Sequence, residues 1–403
     1  MNKTKLLILT SLISLSLSLI IIFSFYLLSV NWIINILPKY KVGIVPEVYP
    51  EKEKVIVKQK EVINTDIKDL QNAVIKTVQE VSPAVVNIVI TKNLKVFIEN
   101  PFDFFGGKVI EKKEKVWGGS GIWITSDGYI ITNKHVVADL NADYSVVTRD
   151  GDIYKVSKIW FDPIFDLAVL KVVDKNWNPP ENLASAKIRS IKEKIKVWQF
   201  VIAIWNALAQ YENSATFGII SAKWRVLDDL PPVVKSLYIW LYQTDAAINP
   251  WNSWWPLINI AWEVIWVNTA ISAVWQGIWF ALPISKELVD ATLKSIKKYW
   301  KIKRPFLWVL YTTLNKSIAK SKKLRYFEGA LVEKVIPGTP AAIAWIRKWD
   351  IILKVDDIDV NIDNVLPFIL FTYLPGDKIT LKVYKPDLDK IVDLDVVLGE
   401  FNP

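Results

Sequence analysis

From Pro83 to Pro283 the chain is a succession of short β-branched runs, and this limits its fold more than any other feature. AVVNIVI, GIWITS, YIITNKHVV, YSVVTR, LAVLKVV, FVIAI, ATFGIISA and VIWVNTAI follow in order, with turn residues such as SDG and RDG among them. Runs of this length, rich in Val and Ile and bounded by turns, predict a mostly antiparallel all-β domain of about 230 residues, barrel or sandwich.

The flanking segments differ in kind. Leu6 to Val30 is an uncharged run of Leu, Ile, Phe and Ser behind Lys3 and Lys5. At about 1.5 Å per residue it is long enough to cross a bilayer core as a helix. A cleaved secretory signal has a shorter apolar stretch and a small-residue cleavage site. No alanine occurs before Ala73. Residues 1–37 therefore read as a cytoplasmic N-terminus and a transmembrane signal anchor, with everything after Pro38 outside; Lys39 and Lys41 on the far side oppose that orientation. Residues 38–64 alternate Lys, Glu, Val and Pro and read as a stalk. Thr65 to Val81 has apolar residues at helical spacing, as does Glu287 to Lys303, which runs into a basic linker. The boundaries expected are 65–298 for the β domain and 303–400 for a final unit of strands and helices.

The 403 residues suffice for two or three domains, and 23% charged residues is ordinary for a globular chain. The net charge of +9 is spread along the whole sequence, which disfavours a dedicated nucleic-acid face. Zero cysteines exclude disulfides and thiol catalysis, and a single histidine removes the usual zinc sites. No metal or cofactor is expected. Two counts are abnormal together: 14 glycines are about half the usual share and 20 tryptophans are several times it. Taken together they make roughly 8% of the chain, a normal glycine content.

The one histidine, His135, ends the run YIITNKHVV. Asp166 lies in FDPIFDLAVLKV, directly before another strand, and Ser253 lies in QTDAAINPWNSWWPL. A serine hydroxyl is a weak nucleophile that needs an imidazole to take its proton, and a buried carboxylate must hold that imidazole in the right tautomer. The order His, Asp, Ser supplies those three roles. The nucleophile elbow of α/β-hydrolases requires Ser, acid, His instead, and the only histidine lies upstream of Ser253.

With its tryptophans read as glycines, NPWNSWWPL becomes Asn-Pro-Gly-Asn-Ser-Gly-Gly-Pro-Leu, which resembles the nucleophile loop of trypsin-like serine proteases in its HtrA form. The same exchange turns GSGIWITSDGYIITNKHVV, FVIAIWNALAQ, GIISAKWRV and AWEVIWVNTAISAVWQGIWFALPI into stretches similar to the HtrA (Do-like) envelope proteases, over roughly residues 70 to 400. A UGA stop codon reassigned to glycine and rendered as tryptophan would account for the exchange. An oxyanion hole needs backbone N–H groups, here of residues 251 and 253, and an indole at Trp251 would crowd the substrate carbonyl. Positions 254 and 255 follow a tight turn with no room for large rings.

The resemblance implies a chymotrypsin-like double β-barrel protease domain and one small α+β PDZ domain. It implies His135 as general base, Asp166 as its orienting carboxylate and Ser253 as nucleophile. Ala247 and Ile248 would form the base of the first specificity pocket, favouring a small apolar side chain. RPFLWVLY corresponds to the family's carboxylate-binding loop, with Trp308 standing for a glycine. PDZ domains add an extended peptide as a strand, so the N–H groups of Leu307, Trp308 and Val309 would take its carboxylate, with Phe306 flanking the pocket. VIPGTPAAIAWIRKWDIILKV matches the same module, with Trp345 and Trp349 at two further glycines. Also by resemblance, the substrates would be unfolded or C-terminally exposed envelope polypeptides, the assembly a homotrimer, and NPFDFF (Asn100 to Phe105) a regulatory loop. A non-catalytic PDZ adaptor or chaperone on the same scaffold is the alternative.

Overall fold

The computed structural model describes residues 52–99, 107–207, 211–225, 241–247, 256–271 and 279–401. The chain divides into two compact units, residues 1–67 and 68–403. Helix α1 (Lys52–Val81) starts well before the expected Thr65. Its first half carries Val and Ile, which disguise it, but no Pro or Gly interrupts it and Lys, Glu and Gln are good helix formers. No helix among the described residues is long and apolar enough to cross a membrane. The run Leu6–Val30 and the loop Asn100–Phe105 lie outside those residues.

The first barrel comprises β1 (Val85–Glu99), β2 (Gly107–Trp123), β3 (Tyr129–Thr132), β4 (Asp143–Val147), β5 (Ile153–Phe161) and β6 (Ala168–Val173). They close in the order β1-β2-β3-β6-β5-β4. The second is built from β7 (Lys187–Ile188), β8 (Phe200–Ala207), β9 (Tyr211–Arg225), β10 (Leu241–Thr244), β11 (Pro256–Ile258), β12 (Glu263–Ile271) and β13 (Trp279–Pro283). Its order is β11-β8-β9-β10-β13-β12-β7, and β11 also pairs with β12, which closes it. The sequence runs did not mark β5, whose IYKVSKIWF is only partly buried, nor the short strands β7, β10, β11 and β13.

Helix α2 (Lys286–Tyr299) follows, capped by Ser285 Oγ accepting from Leu288 N. It stops four residues short of the expected Lys303 because Trp300 turns left-handed (φ 56°) and its N–H bonds Ile296 O at 2.8 Å. The C-terminal module has β14 (Pro305–Phe306), β15 (Val309–Thr313), α3 (Lys316–Ser321), β16 (Ala330–Val335), α4 (Pro340–Ile343), β17 (Ile351–Val355), β18 (Ile358–Asp359), α5 (Leu366–Leu370), β19 (Lys378–Lys385), β20 (Lys390–Val397) and β21 (Gly399–Glu400). The sheet runs β15-β16-β17-β19-β20, with β18 paired to β17 and β14 to β21. In that sheet β15 is an edge strand, hydrogen-bonded on one side to β16.

Backbone angles bear on the tryptophan anomaly independently of composition. Among the described residues, eight of the twelve non-glycine residues with left-handed φ are tryptophan: Trp177, Trp198, Trp224, Trp262, Trp300, Trp308, Trp345 and Trp349. That conformation costs an ordinary L-residue roughly 1–2 kcal/mol, and helices commonly end on a glycine that adopts it freely. The buried indole N–H groups of Trp224, Trp266 and Trp279 also find no acceptor among the described residues, at about 1–3 kcal/mol each. Tryptophan fits poorly at each of these positions on one count, and at Trp224 on both.

Candidate active site

Strand pairing builds the end of the first barrel where His135 and Asp166 lie. β3 and β6 run antiparallel with Thr132 opposite Ala168. The residues just after β3 and just before β6 must therefore meet at one rim. After Asn133 a 3-10 turn (Lys134–Val137) presents His135 while burying Val136 and Val137. On the facing side Phe165 and Leu167 are buried around Asp166.

The two expected residues meet there. His135 Nδ1 lies 2.6 Å from Asp166 Oδ2, and His135 N donates to Asp166 Oδ1 at 3.1 Å. Asn133 Nδ2 adds bonds of 3.2 Å to Asp166 Oδ2 and to Asp166 O. The carboxylate is 2% exposed, whereas the imidazole keeps 35% of its surface open. An imidazole that gives Nδ1–H to a carboxylate can use Nε2 as a proton acceptor. Asn133 was not singled out from sequence; a polar residue between a buried strand and the histidine was its one signal.

In the second barrel the segment after β10 is described as far as Ala247. Thr244, Asp245, Ala246 and Ala247 are stitched to β9: Thr244 Oγ1 donates to Ile219 O at 2.8 Å, Ile219 N to Asp245 Oδ1 at 2.7 Å, and Thr216 Oγ1 to Ala247 O at 2.8 Å. Gly218 sits under this segment, and a Cβ there would run into the Ala246 backbone amide. Behind it, Tyr242 packs edge-on to Trp266 at 4.4 Å, and burial pushes its hydroxyl well above the usual tyrosine range. Ala247 is exposed at the end of the described stretch. Ile248, Trp251, Ser253, Trp254 and Trp255 lie outside the described residues.

In the C-terminal module Leu307 is buried, Phe306 and Val309 are half-buried, and Trp308 has φ 60°. Phe306 pairs with Gly399, and its ring meets that of Trp308 at 4.8 Å. No group of residues suited to holding a metal ion occurs among the described residues.

A trypsin-like peptidase domain model matches residues 119–265, a span containing His135, Asp166 and Ser253. The chain is 36% identical over 285 residues to a probable periplasmic serine endoprotease DegP-like of Pseudomonas putida (strain W619), covering 70% of this chain and 55% of that protein. To the DegP-like protein of Hahella chejuensis it is 32% identical over 348 residues, covering 81% of this chain and 70% of the relative. The chain belongs to the DegP-like serine endoproteases. It spans little more than half the length of the Pseudomonas putida relative. The HtrA-type protease AlgW solved with a decapeptide is 28% identical with TM-score 0.53, over 81% of this chain and 98% of that one. The same protease solved with a tripeptide is 29% identical, again with TM-score 0.53, over 81% of this chain and 97% of that one. The two-barrel architecture expected of a DegP-like protease is the one observed.

Proposed function

We propose that this DegP-like chain is a membrane-tethered serine endopeptidase of the extracytoplasmic space, working through His135, Asp166 and Ser253. The observation that carries the reading is the 2.6 Å contact between His135 Nδ1 and a buried Asp166 carboxylate. A solvent-facing imidazole held in one tautomer by a buried acid is the arrangement a serine nucleophile requires.

His135 Nε2 takes the Ser253 Oγ proton as the oxygen attacks the scissile carbonyl, and Asp166 stabilises the imidazolium. Backbone N–H groups of residues 251 and 253 hold the oxyanion. The proton passes to the leaving amine, and water then releases the acyl group by the same relay. Glycine at 251, 254 and 255 belongs to this proposal. The left-handed tryptophans elsewhere in the chain support the same exchange throughout. Ala247 and Ile248 would floor a small apolar specificity pocket.

The C-terminal module would act as a PDZ domain. The free edge of β15 accepts an extended peptide, and the N–H groups of Leu307, Trp308 and Val309 take its carboxylate beside Phe306. Bound peptides in the AlgW structures support peptide recognition by this chain. The uncharged run Leu6–Val30 would be the membrane anchor, the assembly a homotrimer, and the substrates unfolded or C-terminally exposed proteins.

The test compares the wild-type chain with Ser253→Ala on unfolded casein, each made with tryptophan and with glycine at 251, 254 and 255. The glycine form should cut casein and the Ser253→Ala form should not. Equal proteolysis by the two would remove Ser253 from the mechanism. Activity confined to the tryptophan form would remove the glycine reading.

A further inference from the structure

We propose that Arg304 is a positioning residue for catalysis, acting through Asp162 on the loop that presents Asp166. The proposal rests on the reading of Asp166 and His135 as catalytic partners. The geometry is that of a buried clamp. Arg304 Nε and Nη2 both bond Asp162 Oδ2, at 2.8 and 2.5 Å, and both side chains are withdrawn from solvent. The other Asp162 oxygen, Oδ1, accepts the backbone N–H groups of Ile164 and Phe165, each at 2.9 Å. Asp162 N closes the loop by donating to Leu167 O at 2.9 Å. From the other flank, Lys134 Nζ, one residue before His135, reaches Asp162 O at 3.5 Å.

Asp162 thus spans the bend that sets the direction of the Asp166 side chain, and one of its two oxygens is committed to Arg304. A carboxylate buried this deeply holds its orientation through the groups that bond it. The fork of a guanidinium fixes orientation as well as charge.

Arg304 is itself held from several directions. Nη2 donates to Thr292 Oγ1 on α2 at 2.9 Å, Nη1 to Phe371 O after α5 at 3.4 Å, and Phe401 N donates to Arg304 O at 2.8 Å. Its guanidinium lies over the Phe165 ring, which meets Phe371 edge-on at 5.2 Å. The residue next to the catalytic aspartate is therefore packed against the C-terminal module. Arg304 ends a lysine-rich stretch and is the one cation there drawn wholly inside.

The experiment uses the full-length protein, with the residue found in the natural protein at each tryptophan position. His135 is the sole histidine, so [15N]histidine labelling reports one imidazole, and its Nδ1–H resonance reads the bond to Asp166 directly. Arg304→Met keeps length and packing without the fork. We expect a folded protein whose kcat on a short peptide falls about 10²-fold, as for an angstrom-scale misplacement. KM should stay within about twofold, and the Nδ1–H resonance should shift or broaden. Arg304→Lys should recover part of both. An Arg304→Met protein with unchanged kcat and resonance overturns the proposal, as does a change in KM alone. If Arg304→Met does not fold, Arg304→Lys carries the test, and wild-type kcat and resonance there overturn it. Ser253→Ala separates the two claims. It abolishes turnover if the triad reading holds and leaves the His135 resonance in place, so turnover reports the triad reading while the Nδ1–H resonance reports the hold of Arg304 on Asp166.

Discussion

At Trp177, Trp198 and Trp345 the indole is between 66% and 77% exposed while the backbone is left-handed, with φ of 66°, 70° and 61°. Replacing all three by glycine, and in parallel all three by alanine, removes the same rings and isolates the backbone contribution. At an ordinary helix or strand position alanine is the more stable of the two by about 0.5–1 kcal/mol. Left-handed φ reverses the sign, since a Cβ there costs roughly 1–2 kcal/mol per residue. Net of the greater freedom of glycine in the unfolded chain, the triple-glycine protein should exceed the triple-alanine protein by about 1 kcal/mol per site, or about 3 kcal/mol in all. Guanidinium denaturation of the full chain reads this as a displaced midpoint at unchanged slope. Alanine equal to or better than glycine would show that these positions have no need of a residue without Cβ. The structural case for glycine at the tryptophan sites would then fall, and mass spectrometry of the natural protein should find tryptophan.

Two further outcomes follow from single side chains. Burial alone would push the Glu287 carboxyl up, but hydrogen bonds from Ser190 Oγ (2.6 Å) and Ile191 N (2.8 Å) hold it below the usual glutamate range. Its contribution is therefore present above about pH 4.3 and lost as pH falls through the lowered folded value. Glu287→Gln should lower the melting temperature near neutrality, with the gap to wild type closing in acid; a gap that widens in acid contradicts the assignment. Gly218→Ala should displace the Thr244–Ala247 segment, because the added methyl meets the Ala246 amide. Overpacking of this kind costs about 1–3 kcal/mol, and peptide kcat/KM should fall well beyond any loss of folded protein; unchanged kinetics would show that the segment does not set the site.

The barrels were legible because local pattern decides them. Runs such as LAVLKVV and FVIAI are apolar on both faces or alternate cleanly, and turn residues bound them. His135 and Asp166 were legible for a related reason: His135 sits three residues after β3 and Asp166 two residues before β6, and the register of those strands brings the pair together. The clamp of Arg304 on Asp162 was not legible, since its partners lie 142 residues apart and meet only when a linker docks on a barrel. The start of α1 was hidden by β-branched residues whose local preference was overridden. The tryptophans were conspicuous by number, yet only backbone angles distinguish those in left-handed turns from Trp123, which is buried in a strand.

Buried side chains from both barrels and from the C-terminal module form one continuous cluster, from Val169 and Ile202 through to Phe368 and Leu381. Phe165 meets Phe371 edge-on, and Lys223 pairs with Asp363 across the same boundary. In melting, such a chain behaves as one cooperative block rather than as beads on a string. In evolution, the C-terminal module cannot be exchanged like a cassette. A graft from a relative would have to bring matching partners for Asp162, Phe165 and Lys223, or repack the seam on which the protease half closes.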